Sequence, residues 1–314
     1  MHAPWCLAAL TVLVIALPVR AQHHKSRSHD DRDNLEMRID TTVTLSRSGT
    51  VDLQSFSGDI TVSGWDRDDV KIHARSGSHL RFDSSPSRVS LVETPRDRDY
   101  DEDKGHYGFE VSMPKSARLL LRSLSGDMKL HDVSDVEAHS VSGDMDAANI
   151  ASHAIFETVS GDVTVVHAAA GVRANTVSGE IYAKQITGEV AAQSVSGDIV
   201  LDDVNSAFVR SETVSGDTRF AGPVDPKGRY EFHSHSGNVQ IDLTGGAGDA
   251  SLEVETYSGD LDTSCAMTMQ PGGNGSRMGK RGTFMIGKGG GAHFILKTFS
   301  GDVRITGCRS HGDK

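Results

Sequence analysis

Apolar and polar residues alternate along most of the chain from Met37 onward. The stretches RIDTTVTL, TVDLQSF, DITVSGW, DVKIHA, RVSLVE, FEVSMP and RLLLRS each carry a period of two, with Gly, Asp and Pro between them. That period predicts β-strands, because successive strand side chains point to opposite faces. Residues 94–107, TPRDRDYDEDKGHY, lack apolar periodicity and are dense in charge, which predicts an exposed loop.

After Pro114 a repeat organises the alternation. A frame of Ser/Thr, a large residue, Ser, Gly and an acid occurs ten times, with Asn replacing the acid once. Its glycines are Gly58, Gly126, Gly143, Gly161, Gly179, Gly197, Gly216, Gly237, Gly259 and Gly301, and the steps from Gly126 onward are 17, 18, 18, 18, 19, 21, 22 and 42 residues. A near-constant period marks a repeat architecture. With each glycine numbered zero, positions +2 and +4 are mostly apolar or small, as in Val163 and Val165, and so are +11 and +13, as in Val172 and Ala174. Position +7 adds Val133, Ile150, Ala168, Ile186 and Val204 at an expected corner.

The fold class predicted is all-β: a parallel β-solenoid, or single-stranded β-helix, with rungs of 18–22 residues. A rung of 18 residues traces roughly 60 Å of strand, enough for one turn of a coil. In-register stacking then builds a column of Val, Ile, Leu and Ala. The scarcity of aromatic residues at the inward positions points to a narrow interior. Ser-Gly also suits a hairpin turn, so an antiparallel meander is the alternative.

Four regions follow. Residues 1–21 read as a secretory signal peptide, with an apolar run closed by Val19, Arg20 and Ala21. Residues 22–36 form a polar, disordered leader, and its His23, His24 and His29 read as a solvated tail. Residues 37–114 form a β-rich N-terminal cap, and 115–310 form the repeats, with an insertion at 267–282. The chain is thus expected to be exported to the periplasm, cell surface or medium, with no transmembrane segment after cleavage. Its formal charge of −11 disfavours nucleic acid as a partner.

The chemistry of the repeat allows several readings. Stacked rungs would align Asp127, Asp144, Asp162, Glu180, Asp198 and Asp217 into a ladder of like charge. Neighbouring charges would repel by about 1 kcal/mol in water. Hydrogen bonds from backbone N–H groups or serine hydroxyls would offset that repulsion. A row of Ca²⁺ ions is the alternative, which makes Asp127, Asp144, Asp162, Asp198 and Asp217 weak metal candidates. No other cofactor is indicated, and His233 with His235 lacks a third ligand nearby in sequence. Cys265 and Cys308 would pair if their rungs are neighbours; free thiols are the alternative. No nucleophile motif stands out, so no catalytic residue is assigned and no enzymatic activity is expected.

The segments GTVDLQSFSGDITVSGWDRDDVKIHA, FEVSMPKSARLLLRSLSGDMKLHDV, SVSGDMDAANI, TVSGDVTVV, TVSGEIYA, SVSGDIVLDDV and GGGAHFILKTFSGDVRITG resemble the bacterial DUF4097 family, which also carries an adhesin label. The similarity spans about residues 40–308. The resemblance implies an exported, β-solenoid-like, non-enzymatic protein that binds or scaffolds an envelope protein or glycan. It transfers no catalytic or ligand residue. Two rival expectations are a carbohydrate-active β-helix enzyme using a carboxylate pair and an envelope-stress regulator acting through a protein partner.

Overall fold

In the computed structural model, residues 37–95, 107–246, 248–270 and 280–308 are described. The expected signal peptide and leader, most of the expected charged loop, the centre of the insertion and the last six residues lie outside them. All regular structure among the described residues is β-strand.

Between Gly126 and Gly237 the chain alternates between two ladders. Arg118–Ser125 leads through Gly126 to Met128–His131, and then Asp135–Ser142 leads through Gly143 to Met145–Ile150. Asp135–Ser142 lies parallel to Arg118–Ser125, with Val136 opposite Leu119, and Met145–Ile150 lies parallel to Met128–His131, with Met145 opposite Met128. The next strands, Ala154–Ser160 and Val163–Ala168, repeat the arrangement, with Ala154 opposite Val136 and Val163 opposite Met145. These parallel registers exclude the meander, whose consecutive strands would pair antiparallel.

Burial follows the repeat. Val163, Val165, Ile199 and Leu201 are fully buried, as are Val190 and Ala192 on the facing ladder. The +7 residues Val133, Ile150, Ala168, Ile186 and Val204 are buried at the second corner. The residue before each of them, Asp132, Asn149, His167, Gln185 or Asp203, has φ between 53 and 60°. This left-handed turn brings the chain back toward the first ladder, and none of the five is glycine. Each coil thus adds several apolar side chains to one continuous core, at roughly 1.5–3 kcal/mol for a fully buried Val, Leu or Ile.

The interior is not uniformly narrow. Phe109, Phe156, Phe220, Tyr230, Phe232 and Phe294 are fully buried. Phe220 packs against Tyr230 and Phe232 at 5.7 and 5.5 Å, and Tyr230 stacks on Phe294 at 4.6 Å. Three of these rings, Phe220, Tyr230 and Phe232, lie between Gly216 and Gly237, where the glycine spacing has grown to 21 residues and the longer coil leaves more room inside. The Tyr230 hydroxyl donates to Ser206 O at 2.8 Å and accepts from Asp225 N–H at 2.8 Å, which meets its need for partners.

At both ends the order of coils departs from the order of sequence. Thr50–Ser55 pairs with Arg118–Ser125 on one side and with Arg88–Thr94 on the other, so the earliest coil is stacked second. Asp69–Ser76 and His79–Ser85 pair antiparallel with the outer strands, and Met37–Thr44 adds to Asp69–Ser76. At the C-terminal end Ala292–Ser300 inserts between Val224–Ser236 and Ala250–Ser258. Lys280–Ile286 then pairs antiparallel with Ala250–Ser258, and Met267–Met269 pairs with Lys280–Ile286. Such strands occupy ladder edges that would otherwise template pairing with another chain. Cys265 and Cys308 are joined in a disulfide, with Cα atoms 5.2 Å apart.

Candidate binding edge

The ten glycines form one column. In spatial order it runs Gly58, Gly126, Gly143, Gly161, Gly179, Gly197, Gly216, Gly237, Gly301 and Gly259, so the last two exchange places relative to sequence. At Gly126 and Gly143, φ is 119 and 130°, and an added Cβ would overlap the carbonyl oxygen of the preceding glycine in the column. Both the backbone conformation and the close approach exclude a side chain. From Gly126 to Gly301 along the column, each glycine N–H donates to a serine carbonyl one coil on, as from Gly126 to Ser142 at 3.2 Å and from Gly161 to Ser178 at 3.0 Å.

The Ser/Thr at −3 is buried beneath this corner. In Ser123 and Ser140 its hydroxyl donates to the serine carbonyl two residues on, and the single proton of Ser55 lies between the Ser57 carbonyl and the Glu93 carboxylate. In Thr176, Ser194, Thr213, Ser234, Thr298 and Thr256 it donates to a glycine carbonyl of the adjacent coil. Thr158 lies at the changeover, and its buried hydroxyl has no partner.

The acids at +1 form the expected column on the exterior. Asp59 Oδ1 accepts from Asp127 N–H at 3.1 Å, Asp127 from Asp144 at 3.0 Å, Asp144 from Asp162 at 2.9 Å and Asp162 from Glu180 at 2.7 Å. Asp198, Asp217, Asn238 and Asp302 continue the series. The step from Glu180 to Asp198 is missing, where the side chain is one methylene longer. Each bond to an acid places a carboxylate oxygen against a backbone dipole, which offsets part of the repulsion along the column, and Asn238 accepts in the same way through its amide oxygen. Among the described residues, no group of three or more His, Cys, Asp and Glu is arranged to hold a metal ion.

Beside these acids runs a feature that alternation did not anticipate. At the corner the two-residue period breaks, so −3 is buried while −2 and −1 both face outward. The −2 side chains Phe56, Leu124, Val141, Val159, Val177, Val195, Val214, Phe299 and Tyr257 are exposed, at 37 to 50%. His235 completes this column, its ring stacked on Phe299 at 4.9 Å, and Phe299 stacks on Tyr257 at 4.7 Å. With strands about 4.8 Å apart, ten coils make a strip about 43 Å long, bordered by columns of serine and acid. The sequence did contain the signal, in large residues recurring between two small polar ones. Reading it required knowing on which side of the corner they fall.

His233 and His235 share this outer face but are used separately. His233 Nδ1 lies 3.6 Å from Glu212 and its Nε2 is buried without a partner. Burial pushes its pKa below the usual histidine value, opposed by the nearby Glu212 carboxylate. Glu137 is held below the usual carboxylate range by its hydrogen bond to His139, with Arg118 adding to the effect. Among the described residues there is no helix long and apolar enough to cross a membrane, a statement that leaves β-barrels aside.

No curated protein matches the chain. Three solved structures align with it at low similarity. A putative adhesin from Parabacteroides distasonis ATCC 8503 is 10% identical, covering 86% of this chain and 97% of its own, with a TM-score of 0.33. A putative adhesin from Parabacteroides merdae ATCC 43184 is 10% identical over 85% and 95%, with a TM-score of 0.27. A putative cell adhesion protein from Clostridium sporogenes ATCC 15579 is 6% identical over 86% and 99%, with a TM-score of 0.24. Similarities this low carry no argument about function. The family model described as Toastrack DUF4097 matches residues 34–306, and on that extent the chain belongs to the DUF4097 family.

Proposed function

We propose that this chain is an exported, non-enzymatic β-solenoid with rungs of 18–22 residues that serves the cell envelope as an adhesin-like binding or scaffold protein. One observation carries the reading: the edge that repeats the same three outward residues, large apolar, serine and acid, along nearly its whole length. A catalytic centre needs a singular constellation, whereas this edge multiplies one weak contact site. Apolar surface supplies attraction, and the serine and acid columns supply donors and acceptors suited to a polar polymer or to a protein surface. Long, regular binding surfaces of this kind are what stacked repeats provide.

Binding of the full mature chain to whole cells and to purified wall polymer tests the reading. Retention that falls stepwise as two, four and six coils lose their −2 and +1 side chains supports a distributed edge. Complete loss on changing a single coil, or no binding at all, overturns it.

A further inference from the structure

The −2 column asks for a specific occupant. Val141, Val159, Val177, Val195 and Val214 come from the evenly spaced coils, and each is about half exposed. β-Propensity alone does not account for them, since Thr is also β-branched and would leave less apolar surface in water. The neighbouring outward column at −4 shows what this face otherwise uses: Arg122, His139, Glu157, Asn175, Gln193 and Glu212.

We propose that the valine column docks an amphipathic α-helix bearing positive charge, contributed by a partner polypeptide. The inference rests on the reading of this edge as the binding face and deepens it by naming the partner's chemistry. Spacing selects the helix. Side chains on one side of an extended segment recur every 6.6–6.8 Å, roughly, against coils about 4.8 Å apart, and fall out of step within two coils. The apolar seam of a helix advances 3.5 residues at a time, or about 5.2 Å, and stays within half a spacing for about five coils. Five is also the number of valines.

Charge selects the sign. Asp144, Asp162, Glu180, Asp198 and Asp217 run alongside the valines, all exposed. Lysine or arginine on one flank of the docked helix would meet them. A second copy of this chain fits poorly. Turned end for end about the middle of the column, it would bring Glu157 toward Glu212 and Arg122 toward Lys297, and would oppose two acid columns.

The test is fluorescence anisotropy of a labelled 18-residue helix-forming peptide, about five turns long, with a leucine seam and lysines on one flank, titrated with the full mature chain. Saturable binding that weakens about tenfold in the triple variant Val159→Thr, Val177→Thr, Val195→Thr supports the proposal. Because these side chains are exposed, the variant should keep the parent melting temperature, and Val177→Ile should tighten binding. The triple variant Asp144→Asn, Asp162→Asn, Asp198→Asn keeps the ladder's acceptor oxygens and should flatten the salt dependence. Equal binding of a peptide with glutamate in place of lysine overturns the proposal, as does binding unaffected by the valine changes. So does a dimer, seen by sedimentation velocity, that the threonine variant abolishes. Binding to wall polymer without binding to the peptide sinks the helix alone. Failure of both sinks the binding-edge reading as well.

Discussion

The middle and the ends of this molecule solve different problems. From Gly126 to Gly216 every coil contacts equivalents of itself, so a Val, Ser, Gly or Asp that works once works at each level. At the ends equivalence fails, because the outermost coil has no neighbour on one side. There the chain folds back, as Ala292–Ser300 does when it enters beneath Ala250–Ser258, and adds antiparallel strands outside. Stability in the middle is therefore local and repetitive, whereas at the ends it depends on contacts distant in sequence.

The widest separation is expected at glycine. Gly161→Ala places a Cβ against the Gly143 carbonyl at φ 145°, and urea unfolding should show a loss of about 3–5 kcal/mol. Gly245→Ala, also at positive φ but with open space around the new Cβ, should cost only about 1 kcal/mol. Equal costs would break the claim that the close approach along the column, beyond positive φ alone, excludes a side chain there.

The disulfide sharpens the contrast at the C-terminal end. Cys265→Ser with Cys308→Ser opens a link spanning 43 residues and should cost about 3–4 kcal/mol, with hydrogen exchange rising in Ala250–Ser258 and Ala292–Ser300 before the middle. Uniform exchange would show instead that end and middle unfold together.

At the other end Glu93 takes the place of a missing coil. It is buried and accepts from the Ser55 hydroxyl at 2.9 Å, from Phe56 N–H at 2.7 Å and from Ser57 N–H at 3.2 Å, and its other oxygen accepts from the Ser76 hydroxyl. Glu93→Ala strands these donors and should cost about 2–3 kcal/mol by thermal or urea unfolding.

In the middle, Asp162→Ala removes an acceptor for one exposed backbone N–H and should cost about 1 kcal/mol, whereas Asp162→Asn should be nearly neutral. A melting temperature that falls on adding a chelator would revive the row of cations. The smallest effect is a gain. His167→Gly relieves a left-handed backbone and should stabilise by about 0.5–1 kcal/mol, while Val166→Gly, next to it in the strand Val163–Ala168, should destabilise.

Much of this was legible in the residues themselves. Period-two runs marked the strands, the spacing of Gly126, Gly143, Gly161 and Gly179 marked a column, and Val163 or Ile199 showed which positions turn inward. The acid column could also be drawn, but not its bonding, since a carboxylate facing the next backbone N–H cannot be told in sequence from one awaiting an ion. Glu93 went unnoticed because its partners Ser55 and Ser76 lie in other strands and nothing in its own neighbourhood marks it.

By itself the sequence determined the strands, the repeat and the equivalence of the ten glycines, because these follow from side-chain periodicity and from the absence of a Cβ, both local properties. Tertiary structure alone decided that Phe299 stacks between His235 and Tyr257, that Gly301 precedes Gly259 in the column, and that Val141 to Val214 face water. The reason is physical: order along the axis and exposure at a corner depend on which backbone lies on the other side, and that is set only when distant strands pair.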